Sequence, residues 1–247
     1  MPDDTKHQFQ QIADRLRERA VDGTYEVDKR LPGEDALAQE FAVSLTTVRS
    51  AVDSLVTEGV LERRPRSGTF IRTYRRILRD ANERLAARQW GSGRDIWDVD
   101  AAGRQRDVDR IEVDRETAPD DVATRLGTAD VWVRRRRYLI DGSPVQIAVS
   151  YLPAEVVDGT PIATPNTGAG GTYARLAEIG FEPTRFSERV IVRMPSAQEV
   201  ADLDLGPATP VAYIRREAVT EQGRIIEVND MVCAGDAYVF QWRFTSS

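Results

Sequence analysis

The sequence predicts an α+β chain of two domains, a small helical one followed by a larger, mostly antiparallel sheet. Three observations carry this. Apolar residues recur at helical spacing through the first quarter of the chain, and they alternate at strand spacing through most of the second half. The composition, 41% hydrophobic and 30% charged, is that of a folded domain. A length of 247 residues suits two ordinary domains better than one large one.

The first helix is set by Phe9, Ile12, Ala13, Leu16 and Ala20, which share one face, and Gly23 ends it. The segment PGEDALAQEF opens a second helix at Pro32. Glu34 and Asp35 suit its positive first turn, and Leu37, Ala38 and Phe41 form its buried face. After a break at Ala42-Val43, Ser44 is a good N-cap for a third helix burying Val48, Ala51, Val52, Leu55 and Val56, with Gly59 as its stop. Two short helices on a tight turn, the second with Thr46, Arg49, Ser50 and Asp53 on its polar face, describe a helix-turn-helix. Ser44 and Thr47 sit at its N-terminus, where base and phosphate contacts concentrate in this motif. VLERRPRSGTFIR then reads as a hairpin turning at Pro65-Arg66-Ser67-Gly68. Its tip carries Arg63, Arg64 and Arg66, which makes the motif a winged helix-turn-helix.

Charge supports the same expectation. The chain is acidic, with a formal net charge of −6 and a pI near 5.1. Residues 60–79 nevertheless hold seven arginines (63, 64, 66, 72, 75, 76 and 79) against one acid, Glu62. Phosphate contacts follow local potential rather than the total, so the cluster points to double-stranded DNA. Other classes are disfavoured. No apolar run approaches the roughly 18 residues of a spanning helix. The opening residues carry Asp3, Asp4, Lys6 and Asp14 and do not resemble a signal peptide. One cysteine, Cys233, allows no intrachain disulfide and suits a reducing cytoplasm. One histidine, His7, argues against histidine acid–base chemistry and common zinc sites, so neither metal nor cofactor is expected.

The stretch LPGEDALAQEFAVSLTTVRSAVDSLVTEGVLERRPRSGTFI, within a match from about Phe9 to Ile71, resembles the DNA-binding domain of the GntR family of bacterial transcription regulators. The resemblance implies that Ser44, Thr47, Arg49, Gly68 and Thr69 lie at or near DNA. Family members usually carry arginine where this chain has Asp35 and Leu45. Each loss is worth about 1–3 kcal/mol of base discrimination, so either the operator differs from the family's usual one or the wing arginines carry more of the binding.

Arg72 to Gln89 reads as a charged helix broken at Trp90-Gly91-Ser92-Gly93. The expected division is therefore a DNA-binding domain over 1–75, a linker over 76–94 and a second domain over 95–247. In the second domain DVDRIEVDRE is strand-like, Pro119 to Leu126 is a short helix, and VWVRRRRYLI and PVQIAVSYLP flank an Asp141-Gly142 hairpin turn. NTGAGG precedes a helix opening at Thr172. Strands follow at 184–193, 211–220 and 225–232, with a helix at 196–203 and a last strand near 238–244, giving a largely antiparallel sheet.

In the strand VWVRRRRYLI, Trp132, Arg134, Arg136 and Tyr138 share one face. Two arginines flanked by aromatics could hold an anionic or planar ligand, or could form a salt-bridged sheet face. The loop before Thr172 offers helix N–H groups to an anion but lacks the lysine of a nucleotide-binding loop. RRRRYLIDGSPVQIAVSYLP, the Gly-rich loop before TYARL, and IIEVNDMVCAGDAYVFQWRF resemble the effector-binding (UTRA) domain of the HutC subfamily of GntR regulators, over most of Asp107–Phe244. The resemblance implies a chorismate-lyase-like fold that binds a small molecule. It also implies that Arg136 matches an anion-binding arginine, that Gly171 and Tyr173 line the pocket, and that Glu227 faces ligand hydroxyls or amines. Ser150 and Tyr151 are further candidates. Members that bind phosphorylated amino sugars have arginine and glutamate where this chain has Tyr138 and Ala148. Together these features describe a cytoplasmic, nucleoid-associated homodimer. It is expected to be a repressor that holds a short palindromic operator and is released or retuned by an effector. The alternative is a chorismate-lyase-like enzyme with a DNA-binding appendage, and no nucleophile–base pair is visible to support it.

Overall fold

In a computed structural model, the structure describes residues 2–25, 29–64, 66–71, 76–86, 92–93, 96–206 and 208–244. The chain divides into two compact units, Met1–Arg75 with Leu205–Thr209, and Arg76–Asp204 with Pro210–Ser247.

The first unit contains α1 (Pro2–Val21), α2 (Glu34–Phe41), α3 (Leu45–Thr57) and a hairpin of β1 (Leu61–Arg64) and β2 (Gly68–Ile71). Its core is the set the helical spacing selects: Ile12 and Leu16 from α1, Leu37 from α2, and Val48, Ala51, Val52 and Leu55 from α3, closed by Leu31, Leu61 and Ile71. Ser44 caps α3 by accepting from the Thr47 amide at 3.1 Å. Gly59 leaves the helix in the left-handed region at φ 73. The hairpin is fixed in register by Arg64 opposite Gly68. It is tied to the segment before α2 by the Leu31 amide on the Thr69 carbonyl at 2.8 Å. At Gly68 φ is +115, a conformation that strains any residue with a Cβ, and a Cβ there would also force the Arg30 side chain, 2.4 Å away, to move.

The second unit is built on a six-stranded antiparallel sheet in the order β4-β5-β6-β9-β8-β7. The strands are β4 (Arg106–Thr117), β5 (Asp130–Ile140), β6 (Ser143–Pro153), β7 (Pro183–Arg193), β8 (Val211–Thr220) and β9 (Ile225–Ala234). The β5–β6 turn is the expected Asp141-Gly142, with φ 50 and 78, as a two-residue hairpin of the favoured hand requires. Among the described residues, five α-helices, α4 (Ala81–Arg84), α5 (Ile96–Ala101), α6 (Asp120–Leu126), α7 (Ala154–Val157) and α8 (Gly171–Glu178), precede β7, and α9 (Ala197–Leu203) follows it. One sheet face packs Val131, Val133 and Val228 against Val122 and Leu126 of α6. Across the sheet, Leu152, Ala218 and Ile226 pack with Tyr173 and Leu176 of α8.

Two expectations change. The segment 72–89 is not a charged helix where it is described. Its residues form β3 (Ile77–Asp80), which pairs in parallel with β10 (Tyr238–Gln241), and then the single turn of α4. Part of the expected linker is therefore built into the second unit, because Ile77 and Arg79 are buried there. The positions 72–75, 87–91 and 95, where the rest of that helix, part of its break and the second domain's start were placed, lie outside the described residues. The last strand is shorter than expected and stands outside the main sheet.

Candidate functional site

In the first unit the expected surface assembles on α3 and the hairpin. Thr46, Arg49 and Ser50 are exposed together on α3, with Ser44 exposed at its cap. Arg63 and Arg64 are exposed on β1, and Arg66 is exposed at the tip with φ 62. Thr47 departs from expectation. It is 3% exposed and its hydroxyl lies 2.8 Å from the Ser44 Oγ, so it braces the cap instead of meeting solvent. Gly68 and Thr69 are half-buried and shape the tip.

Three of these arginines, Arg49, Arg63 and Arg64, are already engaged by acids. Arg49 Nε donates to Glu34 at 2.9 Å, and Arg63 donates to Glu34 at 3.1 Å and to Asp53 at 2.5 Å. These four side chains tie α2, α3 and β1 together across one face. The guanidinium of Arg64 lies 4.3 Å from the Phe70 ring centroid and also donates to Glu62. Such exposed pairs are weak in water and exchange readily for phosphate. The seven-arginine cluster is also not a single surface. Arg79 is 0% exposed and donates through both terminal nitrogens to Glu188 in the second unit's own core. Arg72 and Arg75 lie outside the described residues.

In the second unit, cross-strand register writes one polar row over the inner sheet face: Arg134 opposite Ser150, Ser150 opposite Asn229, Asn229 opposite Arg216 and Arg216 opposite Glu188. Above it lies a cavity of about 360 Å³, within the usual range for a small ligand. Arg134, Arg136, Tyr138, Gly171, Tyr173 and Glu227 all line it. Glu227 is 2% exposed and accepts from the Tyr173 hydroxyl at 2.5 Å, so it is not a solvated strand carboxylate. Burial, with the nearby Glu227, pushes the Tyr173 phenol well above its ordinary range, and Arg216 only partly offsets this. The hydroxyl therefore stays a donor at neutral pH. Tyr138 meets Trp97 with ring centroids 4.7 Å apart and the rings tilted by 51°, which makes an aromatic corner.

Two expected residues take other places, and a third, Arg134, is engaged elsewhere. Ser150 does not line the cavity; it is buried and accepts from Arg136. Tyr151 packs on the opposite face with the α6 cluster. Arg134 reaches the cavity, but its nitrogens are committed to the carbonyls of Ile162, Thr164 and Pro165. Burial, then the charge of Arg136, pushes Arg134 down to about 10.

Sequence reading missed Arg84, Trp97, Arg216 and Asn229, all of which line the cavity. Asn229 was within reach, since it lies two residues from Glu227 on the same strand face. The β8–β9 hairpin then sets Arg216 opposite it. Arg84 carried no such signal; it is buried and paired to Asp100 at 2.7 and 2.9 Å. Beneath it, burial would raise the Glu188 carboxyl, but the hydrogen bonds and charge of Arg79, with Arg216 and Arg84 behind them, hold it down at about 2. No cluster of three or more metal-ligating acids, histidines or cysteines occurs among the described residues. No helix among them is long and apolar enough to cross a membrane.

Comparison with known proteins agrees with this fold. The family described as bacterial regulatory proteins, gntR family, matches residues 8–71, and the UTRA domain matches residues 101–239. An uncharacterized HTH-type transcriptional regulator of Streptomyces coelicolor is 31% identical, over 96% of this chain and 92% of that protein. The HTH-type transcriptional regulator GgaR of Escherichia coli K12 is 30% identical, over 93% of this chain and 88% of its own. The crystal structure of PhnF from Mycobacterium smegmatis has the same fold, with a TM-score of 0.58 at 24% identity, over 95% of this chain and 99% of that one.

Proposed function

Since the chain belongs to the GntR family of HTH-type bacterial transcription regulators and carries a UTRA domain, as the HutC subfamily does, we propose that it is a homodimeric repressor of the cytoplasm and nucleoid, holding a short palindromic operator until a small molecule enters the cavity of its second unit. As a member of that family it is a DNA-binding regulator and not an enzyme, so a lyase with a DNA-binding appendage is set aside. Residues 1–75 are the DNA-binding domain and 95–247 the effector domain, with 76–94 between them; of these, Ile77–Arg84 are built into the second unit.

The observation that carries the DNA half is the capped helix α3, with Thr46, Arg49 and Ser50 exposed beside the arginines of the hairpin. On DNA, α3 enters a major groove and the hairpin tip at Arg66 follows the backbone or minor groove. The effector half is supported by the cavity and by its link to the connecting segment. Arg84 lines the cavity one turn after β3, and the Gly170 amide donates to the Gly93 carbonyl at 2.9 Å. A ligand that rearranges these contacts gains control of DNA affinity only through different affinity for the two states. Selection of genomic fragments by the purified protein at near-physiological salt tests the proposal. Enrichment of one short inverted repeat supports it, and salt-sensitive binding with no enriched sequence overturns it.

A further inference from the structure

The hairpin of the first unit is not left with two strands. The segment before α2 runs along β2, where Arg30 forms an antiparallel bridge with Phe70 and the Leu31 amide donates to the Thr69 carbonyl at 2.8 Å. Residues opposite each other in such a ladder put their side chains on one face, and so do residues two apart on one strand. Arg30, Phe70 and Gly68 therefore share a face with Glu62 and Arg64, which lie opposite Phe70 and Gly68 on β1.

The Arg30 side chain crosses this face over Gly68. A Cβ at residue 68 would stand 2.9 Å from Arg30 Cδ and 3.1 Å from its Cγ, so the glycine leaves the room in which this stem rests on the hairpin. Arg64 leans the other way, with its guanidinium over the Phe70 ring. Both arginines are exposed, and so is Arg66, two residues before Gly68. Glu62 answers Arg64. The guanidinium groups of Arg30 and Arg66 have no acid partner among the described residues, whereas Arg49 and Arg63 must leave Glu34 and Asp53 before they can meet a phosphate. An exposed guanidinium without an acid has nothing to exchange when an anion arrives, and its whole charge acts on the DNA backbone. Arg30 also lies outside the arginine-rich stretch 60–79, so only the bridge to Phe70 brings it onto the hairpin.

On the reading of α3 and the hairpin as the DNA surface, we propose that Arg30, seated across Gly68, is a further DNA contact. It binds a backbone phosphate next to the one met by Arg66, and it adds affinity without sequence preference. The positive face of the hairpin thereby extends onto the segment before α2.

The test measures the affinity of the full chain for the enriched fragment and for an unrelated duplex across a range of salt, with the melting temperature recorded for every variant. Arg30→Met keeps an unbranched stem over Gly68 and removes the charge; the position is exposed, so the melting temperature should not move. The slope of log affinity against log salt should fall by about 0.9, as expected for one lost phosphate contact, which corresponds to about a 4-fold loss near 0.2 M salt, on both duplexes alike. Arg30→Lys should keep most of the slope. An unchanged slope in Arg30→Met overturns the contact, and a loss of affinity without a change of slope does the same, because it makes Arg30 a brace of the hairpin. A loss confined to the enriched fragment overturns the backbone assignment and makes Arg30 a reader of bases. Arg66→Met separates this proposal from the reading beneath it. If it lowers the slope and Arg30→Met does not, only the role of Arg30 fails. If neither variant lowers the slope, the hairpin does not touch the backbone and the placement of the DNA surface fails with it.

Discussion

In the first unit Arg49 and Arg63 lie exposed on Glu34 and Asp53, whereas in the second Arg79, Arg84 and Arg216 are buried around Glu188 and Asp100. The same side chain is thus a replaceable surface charge in one unit and a fixed structural charge in the other. Exposed pairs contribute little to stability, so trading Glu34 for a phosphate costs little. Buried pairs are expensive to break, because the remaining partner stays desolvated. A DNA surface must give up its partners when DNA arrives, and a ligand cavity must keep its charges aimed before the ligand does.

The largest effect should come from breaking the buried side of this contrast. Arg79→Met leaves Glu188 buried without its two-pronged partner, and the second unit should lose about 3–5 kcal/mol in urea unfolding. A loss under about 1 kcal/mol would put this arginine in the same class as those on the DNA surface. The second effect is a matter of pH. The Glu188 carboxyl is held at about 2, against an ordinary 4.5. A lowered folded-state value stabilises above the unfolded one, so this contribution is complete above roughly pH 4.5 and disappears as pH falls toward 2. It amounts to about 3 kcal/mol, and Glu188→Gln should flatten that part of the acid unfolding profile.

Smaller effects belong to the first unit. Ser44→Ala removes the cap of α3 and should cost about 1 kcal/mol by chemical unfolding. The smallest stability change is expected from Glu34→Gln, within about 1 kcal/mol. It frees Arg49 and Arg63 from their shared carboxylate, so DNA affinity should rise while stability barely moves. A fall in DNA affinity would mean instead that Glu34 is needed to aim these arginines.

How much of the molecule was readable in its sequence follows the same division. The first unit is local. Val48, Ala51, Val52 and Leu55 recur at helical spacing and are all buried, Ser44 precedes them as a cap, and Gly68 marks the wing. Strand alternation likewise put Trp132, Arg134, Arg136 and Tyr138 on one face. What stayed hidden depends on distant partners. Ile77–Asp80 is a strand because it pairs with Tyr238–Gln241, far along the chain, and nothing near residue 77 signals that. Arg79 reads as one more member of a basic cluster until Glu188 is placed against it. Thr47 looked like a surface hydroxyl because its spacing is that of a helix N-terminus, yet it turns inward to Ser44.

The central claim is that α3 reads sequence while the rest of the basic surface supplies general attraction. The most direct measurement is the affinity of the protein and of Arg49→Ala for the enriched operator fragment and for unrelated DNA, each across a range of salt. The account predicts a loss of about 5- to 150-fold on the operator for Arg49→Ala, corresponding to about 1–3 kcal/mol, with a much smaller loss on unrelated DNA. Equal losses on both would reduce Arg49 to a phosphate contact and contradict the assignment of α3 as the reading helix.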